Sequence, residues 1–238
     1  MNRRNFAAFS LLSLAVPLAA GPSQAQPAPP AAGKGGGKPA KADSLSADEI
    51  VTRVQEVYDR AKSFKAGFRQ KYTVFAYNNK SKESAGSVIF EKPGKMSWRY
   101  TTNGNRVVSD GKLIKIYEKD NKQMYEQPLD KTQYPAALSF LTGQGQLKQN
   151  FKFKKLDSKQ MKFESGYVLQ GDPLQPTAAY DSVFFYVDAQ TYQVRRVLIK
   201  DAQNNRNTFD FVTAEVNTKP PKGEFVFTPP PGTQVIRP

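Results

Sequence analysis

The stretch Phe64–Val74 reads FKAGFRQKYTV, and it changes the hydrophobic period of the chain from that of a helix to that of a strand. Its even-numbered residues, which include Phe68 and Tyr72, share one face, whereas Lys65 and Lys71 fall on the other. Strict alternation of this kind is typical of a strand with one buried face. The stretch therefore predicts a sheet with one apolar and one polar side.

Similar short segments follow along the rest of the chain, separated by turn residues. Asn103-Gly104 and Asp110-Gly111 favour two-residue hairpins, which join antiparallel neighbours. We expect strands near residues 84–91, 95–101, 105–109, 112–118, 122–127, 151–156, 161–170, 181–188, 192–200, 206–214 and 224–227. Strands at such short and regular spacing predict a curved antiparallel sheet, mainly between sequence neighbours.

A helix is predicted before the first strand. Ser46 followed three residues later by Glu49 is a capping box, in which each side chain can bind a free backbone N–H of the first turn. Apolar residues then recur at helical spacing as far as Ala61, and we expect the helix to end near Ser63. The apolar stripe is Ile50, Val54, Val57 and Ala61. Such a stripe must pack on the sheet.

The first residues are typical of an export signal. A basic start, the apolar stretch Phe6–Ala20 and the small residues of Ser23–Ala25 predict a signal peptide over residues 1–25. Residues 26–43 are rich in Pro, Ala, Gly and Lys, which predicts a disordered linker. Residues 44–238 then form one domain of ordinary size. The sequence leaves the Sec and twin-arginine export routes both open.

Composition removes several classes of function. The chain has no His and no Cys, which excludes Ser-His-Asp and Cys-His catalysis, ordinary zinc sites, disulfides and a lipid-attachment cysteine. We expect no cofactor, no metal and no lipid anchor. The formal charge of +14 favours acidic partners or anionic membranes, and nucleic acid is not expected for an exported protein.

One segment interrupts the strands. In Gln133–Gln149, Tyr134, Leu138 and Leu141 fall at helical spacing, which predicts a short apolar helix. Such a helix either fills the core or covers an apolar groove as a lid. The run Val183–Val187 is apolar on both faces, so a second layer or a ligand must cover both sides of that strand.

Four motifs, taken in order, resemble one known family. They are Phe64–Gln70, the corner and strand Lys92–Trp98, the strand end Val108–Lys112, and the ending Phe225–Gly232. Over most of residues 46–236 the chain resembles the periplasmic outer-membrane lipoprotein carriers of the LolA family. None of the four motifs is specific by itself, and their order carries the resemblance.

The resemblance implies an incomplete, strongly curved antiparallel β-barrel of about eleven strands. An N-terminal helix and short lid helices would cover an apolar groove. It also implies a monomeric, soluble periplasmic chaperone without enzymatic activity. Its partners would be acylated lipoproteins, a lipoprotein-releasing ABC transporter of the inner membrane, and an outer-membrane lipoprotein acceptor.

Two sets of residues would carry that function. The candidates for the lipid-binding groove are Phe68, Tyr72, Phe90, Met96, Trp98, Ile114, Ile116, Phe184 and Tyr186. The candidates for the lid are Lys92, Tyr134, Leu138 and Leu141. The family often has Arg at the position of Lys92, where it binds lid backbone, and an ammonium cannot reproduce the planar fork of a guanidinium.

Three alternatives stay open at this point. The same scaffold could carry or sense another lipid or a glycolipid. A sensor domain of an envelope stress regulator usually has a second domain, for which this chain leaves no room after the sheet. A secreted enzyme would need paired carboxylates, and those on the strands and turns show no recurring spacing. They are Glu83, Glu91, Asp110, Glu118, Asp181 and Asp188.

Overall fold

The structure is a computed structural model. It describes residues 45–129, 138, 140–142 and 145–237. The predicted signal peptide (1–25), the predicted linker (26–43) and the candidate lid residue Tyr134 lie outside the described residues.

The first helix, α1, spans Ala47–Arg60 and confirms the predicted capping box. The Glu49 N–H donates to Ser46 Oγ at 3.2 Å, and the Ser46 N–H donates to Glu49 Oε2 at 2.8 Å. The helix ends at Arg60 rather than near Ser63, because Ser63 already begins the first strand. Its fully buried residues are Ile50, Val51, Val54 and Tyr58.

Twelve strands follow and form one sheet. Their bounds are β1 Ser63–Val74, β2 Lys80–Glu91, β3 Lys95–Tyr100, β4 Arg106–Asp110, β5 Leu113–Glu118, β6 Gln123–Pro128, β7 Phe151–Leu156, β8 Gly166–Pro173, β9 Ser182–Asp188, β10 Val194–Lys200, β11 Arg206–Val216 and β12 Gln234–Ile236. A four-residue helix, α2 (Leu147–Asn150), precedes β7.

The strand order is β12-β6-β5-β4-β3-β2-β1-β11-β10-β9-β8-β7. Pairing between sequence neighbours, as predicted, builds β1 to β6 and β7 to β11. The two halves join where β1 pairs antiparallel with β11, with Phe68 opposite Phe211. Among the strands of the described residues, only β12 pairs in parallel, with β6. The predicted class, a mainly β protein with an open, curved antiparallel sheet and an N-terminal helix, is confirmed, with twelve strands rather than about eleven.

The two sides of the sheet are covered differently. We call the side that α1 covers the inner face and the opposite side the outer face. Buried apolar residues of β1 to β5 and of β8 to β11 join those of α1 in one core on the inner face. A short C-terminal segment covers part of the outer face of β3 to β5.

The predicted strand near 224–227 is wrong. Residues 222–225 form a turn, and the last strand is β12, which begins at Gln234. The alternating sequence Phe225–Phe227 is flanked by Pro220-Pro221 and by Pro229–Pro231. Proline has no backbone N–H to donate, so these flanks cannot extend a hydrogen-bonded ladder.

Residues 223–227, which we call the C-terminal strap, are bound to the outer face by one buried carboxylate. Ser97 Oγ donates to Glu224 Oε1 at 2.6 Å, and Arg99 donates to the two oxygens of Glu224 at 3.0 and 2.9 Å. The Phe227 ring lies 5.4 Å from that of Tyr117. The strap therefore combines a two-point ion pair with an aromatic contact.

The charges beneath the strap depend on one another. Burial alone raises the pKa of Glu224, but hydrogen bonds from Arg99 and Ser97 hold that pKa below its usual value. Burial lowers the pKa of Arg106, and its guanidinium carbon lies 5.7 Å from the centre of the Phe227 ring. Among the described residues, Arg106 Nε and Nη1 have no hydrogen-bond partner. The negative charge of Glu224 raises the pKa of Arg106 and so helps to compensate this buried cation.

The variant Glu224→Gln keeps the side-chain shape but removes this charge. We expect it to lower the free energy of unfolding at neutral pH by about 2 kcal/mol. The folded-state pKa is lowered, so the stabilisation is complete above the ordinary value of 4.5 and is lost as the pH falls through the folded-state pKa. Urea unfolding between pH 7 and pH 3 measures the difference between wild type and variant. The role would be contradicted if the difference in unfolding free energy between wild type and Glu224→Gln did not change with pH. It would also be contradicted if Glu215→Gln, at an exposed position, had the same effect on that free energy.

Candidate functional site

The inner face brings together five of the predicted groove residues. Phe68, Phe90, Met96, Trp98 and Ile114 lie on β1, β2, β3 and β5, and each is at most 3% exposed. The Trp98 ring lies 4.9 Å from that of Phe68 and 5.8 Å from that of Phe90, both edge-on. Strand alternation thus produces a continuous apolar surface that crosses several strands.

Two further candidates lie at the margin of this surface. Ile116 is partly buried and packs against the same core. Tyr72 is also partly buried, near the far end of β1, and burial followed by the charge of Asp201 raises the pKa of its hydroxyl. Both side chains therefore border the apolar surface rather than forming its centre.

The placement of Phe184 and Tyr186 in the groove is wrong. In β9 the inner-face residues are Val183, Phe185 and Val187, which belong to the core, so Phe184 and Tyr186 point to the outer face. Tyr186 is buried there by the Phe163 ring, at 5.4 Å, and by the Arg196 guanidinium, at 5.2 Å. The run is apolar on both faces because each face has its own protein cover.

Helix α1 covers the inner face through Tyr58. Its ring lies 6.2 Å from that of Phe64, and its hydroxyl accepts a hydrogen bond of 3.0 Å from the Val194 N–H. Complete burial raises the pKa of the Tyr58 hydroxyl. Tyr58 was not among the predicted site residues, although it follows Ile50 and Val54 at steps of four in the apolar stripe.

Part of the inserted segment packs beneath α1. Leu138 and Leu141, two predicted lid residues, are buried in the core together with Phe140, which forms a short 3₁₀ turn with its neighbours. The Phe140 ring meets that of Tyr58 edge-on at 4.7 Å and lies 6.0 Å from that of Phe185. Phe140 was not predicted, and its ring contacts both α1 and the sheet.

The segment is also bound to α1 from its other end. The Leu147 N–H at the start of α2 donates to Gln55 Oε1 at 2.9 Å. Lys148 Nζ lies 3.9 Å from Asp48 Oδ2, which is a weak surface ion pair. The described part of the segment and α1 therefore cover the inner face together.

Lys92 binds the covering helix. Its Nζ donates to the carbonyl oxygens of Tyr58 at 2.5 Å and of Asp59 at 3.1 Å, in the last turn of α1. A cation at this end satisfies free carbonyls and the negative end of the helix dipole. Within the described residues these two bonds join Lys92 to α1 rather than to the inserted segment, where the lid bond was expected.

A polar pair interrupts the apolar surface on β1 and β11. Gln70 Nε2 donates to Asn207 Oδ1 at 2.8 Å, and both side chains are buried. Among the described residues, Gln70 Oε1 has no hydrogen-bond partner. The alternation of β1 placed Gln70 on this face, but it was not predicted as a site residue.

The described residues contain no cluster of three or more acidic side chains that could hold a metal ion. None of the helices in the described part of the chain is long and apolar enough to cross a membrane. What the inner face offers chemically is apolar contact area, aromatic edges and the amide pair of Gln70 and Asn207.

Comparison with known proteins identifies the family. The chain matches the family model described as "Outer membrane lipoprotein carrier protein LolA" over residues 59–228. It is 27% identical to an outer-membrane lipoprotein carrier protein of Methylibium petroleiphilum, over 82% of this chain and 92% of the relative. A carrier protein of the same description from Nitrosomonas europaea is 25% identical, over 79% of this chain and 88% of the relative.

One solved structure supports the fold. An uncharacterized conserved protein from Thermus thermophilus superposes with a TM-score of 0.51 at 13% identity, over 81% of this chain and 99% of that chain. At this identity the likeness concerns the fold alone. With the family model covering most of the described residues, the chain belongs to the LolA family of outer-membrane lipoprotein carrier proteins.

Proposed function

We propose that this protein carries lipoproteins across the periplasm by binding their acyl chains to the inner face. The observation that supports this most is the cover of that face. Its aromatic surface on β1, β2 and β3 shares one core with α1 and the Phe140 turn, and the Tyr58 ring of α1 meets the Phe64 ring of β1. A helix and a turn can move away from a sheet without breaking the backbone ladder of the sheet.

Such a carrier solves a solubility problem. Each methylene of an acyl chain gains roughly 0.8 kcal/mol when it leaves water, so a multiply acylated lipoprotein does not leave a membrane unaided at a useful rate. The carrier must replace the bilayer with a comparable apolar surface. Phe68, Phe90, Met96, Trp98 and Ile114 supply that surface, with Tyr72 and Ile116 at its margin.

In this proposal, the inner face stays closed between cargoes. When cargo is absent, Leu138, Phe140 and Leu141 occupy the inner face and keep it from water. Acyl chains then replace these side chains, and the cost of displacing the cover reduces the apparent affinity for the cargo. That cost lets the carrier release its cargo again.

The partners follow from the role. An inner-membrane ABC transporter that releases lipoproteins would load the carrier, and an outer-membrane acceptor would take the cargo. The protein would work in the periplasm as a chaperone, without catalysis and without a cofactor. The family membership and the apolar surface of the inner face support this assignment.

Met96→Glu tests the function directly. Met96 is fully buried on the inner face, so a carboxylate there would be buried among acyl chains at a high desolvation cost. We expect the variant to lose nearly all release of lipoproteins from spheroplasts, measured in the supernatant. Met96→Leu is the matched control and should behave as wild type.

Because a buried charge also destabilises the fold, both Met96 variants are compared by thermal unfolding. Tyr72→Glu, at the partly exposed margin, provides a second charge that the fold tolerates better. Folded Met96→Glu and Tyr72→Glu proteins that both release lipoproteins at the wild-type level would exclude the inner face as the binding site.

Phe140→Ala separates a displaceable cover from an ordinary core residue. Loss of the ring contact with Tyr58 should lower the free energy of unfolding by about 3 kcal/mol. If acyl chains take the place of this ring, the same variant should bind a fluorescent fatty-acyl probe at least as tightly as wild type. Phe211→Ala, on β11, is the control, and we expect it to lose both stability and binding. Weaker probe binding by Phe140→Ala would contradict the displacement.

Lys92→Met tests the bond between the corner and α1. Removal of both hydrogen bonds to the Tyr58 and Asp59 carbonyls should make the helix easier to displace. We expect faster uptake of the acyl probe in stopped-flow fluorescence, with about 1 to 2 kcal/mol less stability. Lys62→Met removes an exposed charge just after α1 and should leave both quantities unchanged. Equal uptake rates for wild type and Lys92→Met would remove the lid role of Lys92.

A further inference from the structure

The hairpin that joins β1 to β2 carries exposed aromatic side chains at its end. We call residues 75–82 the β1–β2 tip. Phe75 is 53% exposed and Tyr77 is 72% exposed, which makes Tyr77 one of the two most exposed large hydrophobic residues among those described. Two aromatic side chains exposed to water in one turn are unfavourable unless another phase or molecule covers them.

The tip extends past its neighbour on one side. β2 pairs with β3 from Gly86 onward, so its first part, Lys80–Ala85, continues beyond the end of β3. The tip is nevertheless ordered by the adjoining turn between β10 and β11. The Phe75 N–H donates to Asn205 Oδ1 at 3.0 Å, and Arg206 Nη2 donates to Asn79 Oδ1 at 3.0 Å. The two aromatic residues therefore lie on a hairpin end that two hydrogen bonds attach to the neighbouring turn and strand.

The charges around the tip are mostly positive. Lys80 and Lys82 are exposed on the first part of β2. Lys71 pairs with Glu83 at 3.3 Å, which neutralises that carboxylate. Asp201, in the turn between β10 and β11, accepts backbone and side-chain hydrogen bonds from Asn205 within that turn. The lysines are therefore available to an external anion.

We propose that the β1–β2 tip binds the surface of an anionic phospholipid bilayer. Phe75 and Tyr77 would lie at the level of the headgroups, where aromatic side chains are favoured, while Lys80 and Lys82 bind headgroup phosphates. The excess of positive charge over the whole chain, +14, points to the same partner. This inference goes beyond the carrier function, which concerns the inner face.

The tip also continues the inner face. Because residues alternate along a strand, Tyr72 and Val74 belong to the same face of β1 as Phe68. Lys82 and Lys80 lie directly opposite them on β2. Docking of the tip therefore brings the end of the inner face to the bilayer, where acyl chains enter and leave.

Flotation with phosphatidylcholine vesicles, with and without phosphatidylglycerol, tests the proposal on the full chain without its signal peptide. Wild type should float with the anionic vesicles at low salt. Phe75→Ser/Tyr77→Ser and Lys80→Gln/Lys82→Gln should each lower the partition coefficient by about tenfold. The lysine variant should in addition lose most of the salt dependence of binding.

Two control variants match these changes away from the tip. Val226→Ser alters a side chain of the C-terminal strap that is as exposed as Tyr77, at 72%. Lys159→Gln/Lys162→Gln removes two exposed lysines from the turn after β7. Both should float as wild type does. If these control variants lost as much vesicle binding as the tip variants, the attraction would be nonspecific and the proposal would be overturned.

Acyl-probe binding, measured in parallel, keeps this inference separate from the carrier function. Tip variants should bind the probe as wild type does. Tip-dependent flotation supports the inference even if wild type binds no acyl probe, a result that would refute only the carrier function. Unchanged flotation of both tip variants overturns the inference. If those variants also lose lipoprotein release, the tip is instead a contact for a protein partner.

Discussion

The burial of Tyr58 is the constraint on which the closed inner face depends. Its hydroxyl accepts the Val194 N–H at 3.0 Å, where β10 is irregular between Val194 and Arg196, and its ring meets Phe140 at 4.7 Å. Its carbonyl oxygen accepts a hydrogen bond from Lys92. One residue of α1 therefore contacts the sheet, the inserted segment and the corner before β3. Movement of α1 away from the sheet would break all of these contacts together.

A carrier needs an apolar face that is buried when empty and yet can be exposed. A second sheet would cover such a face permanently through a large, regular contact. Here α1 and the turn at Phe140 provide the cover, while the sheet keeps its own hydrogen bonds. Part of the outer face is covered differently, because the C-terminal strap is bound through the buried ion pair of Glu224 with Arg99. The cover that we propose to be displaced and the strap bound by the ion pair thus lie on opposite sides of one sheet.

Much of the fold could be predicted from the sequence, because local patterns determine it. The capping box of Ser46 starts α1, and alternation marks β1 and places Phe68 on the apolar face. In β9 both the odd-numbered and the even-numbered residues are apolar, so alternation cannot decide which of them lie on the inner face. Phe184 was therefore assigned to the wrong side. That choice depends on tertiary cover, which for Tyr186 comes from Phe163 and Arg196. The segment 224–227 has the residues of a strand, but the structure places part of it in a turn that Glu224 binds to the outer face through Ser97 and Arg99.

The single tryptophan of the chain offers the most direct test of the central claim, that acyl chains and the protein's own side chains compete for the inner face. Trp98 is 3% exposed and lies between Phe68, Phe90 and Phe209. Its fluorescence is measured while a lipopeptide with bromine on its acyl chains is added. We expect strong, saturable quenching by the lipopeptide, whereas dissolved iodide should quench little. Saturable binding of the lipopeptide without any quenching of Trp98 would contradict it.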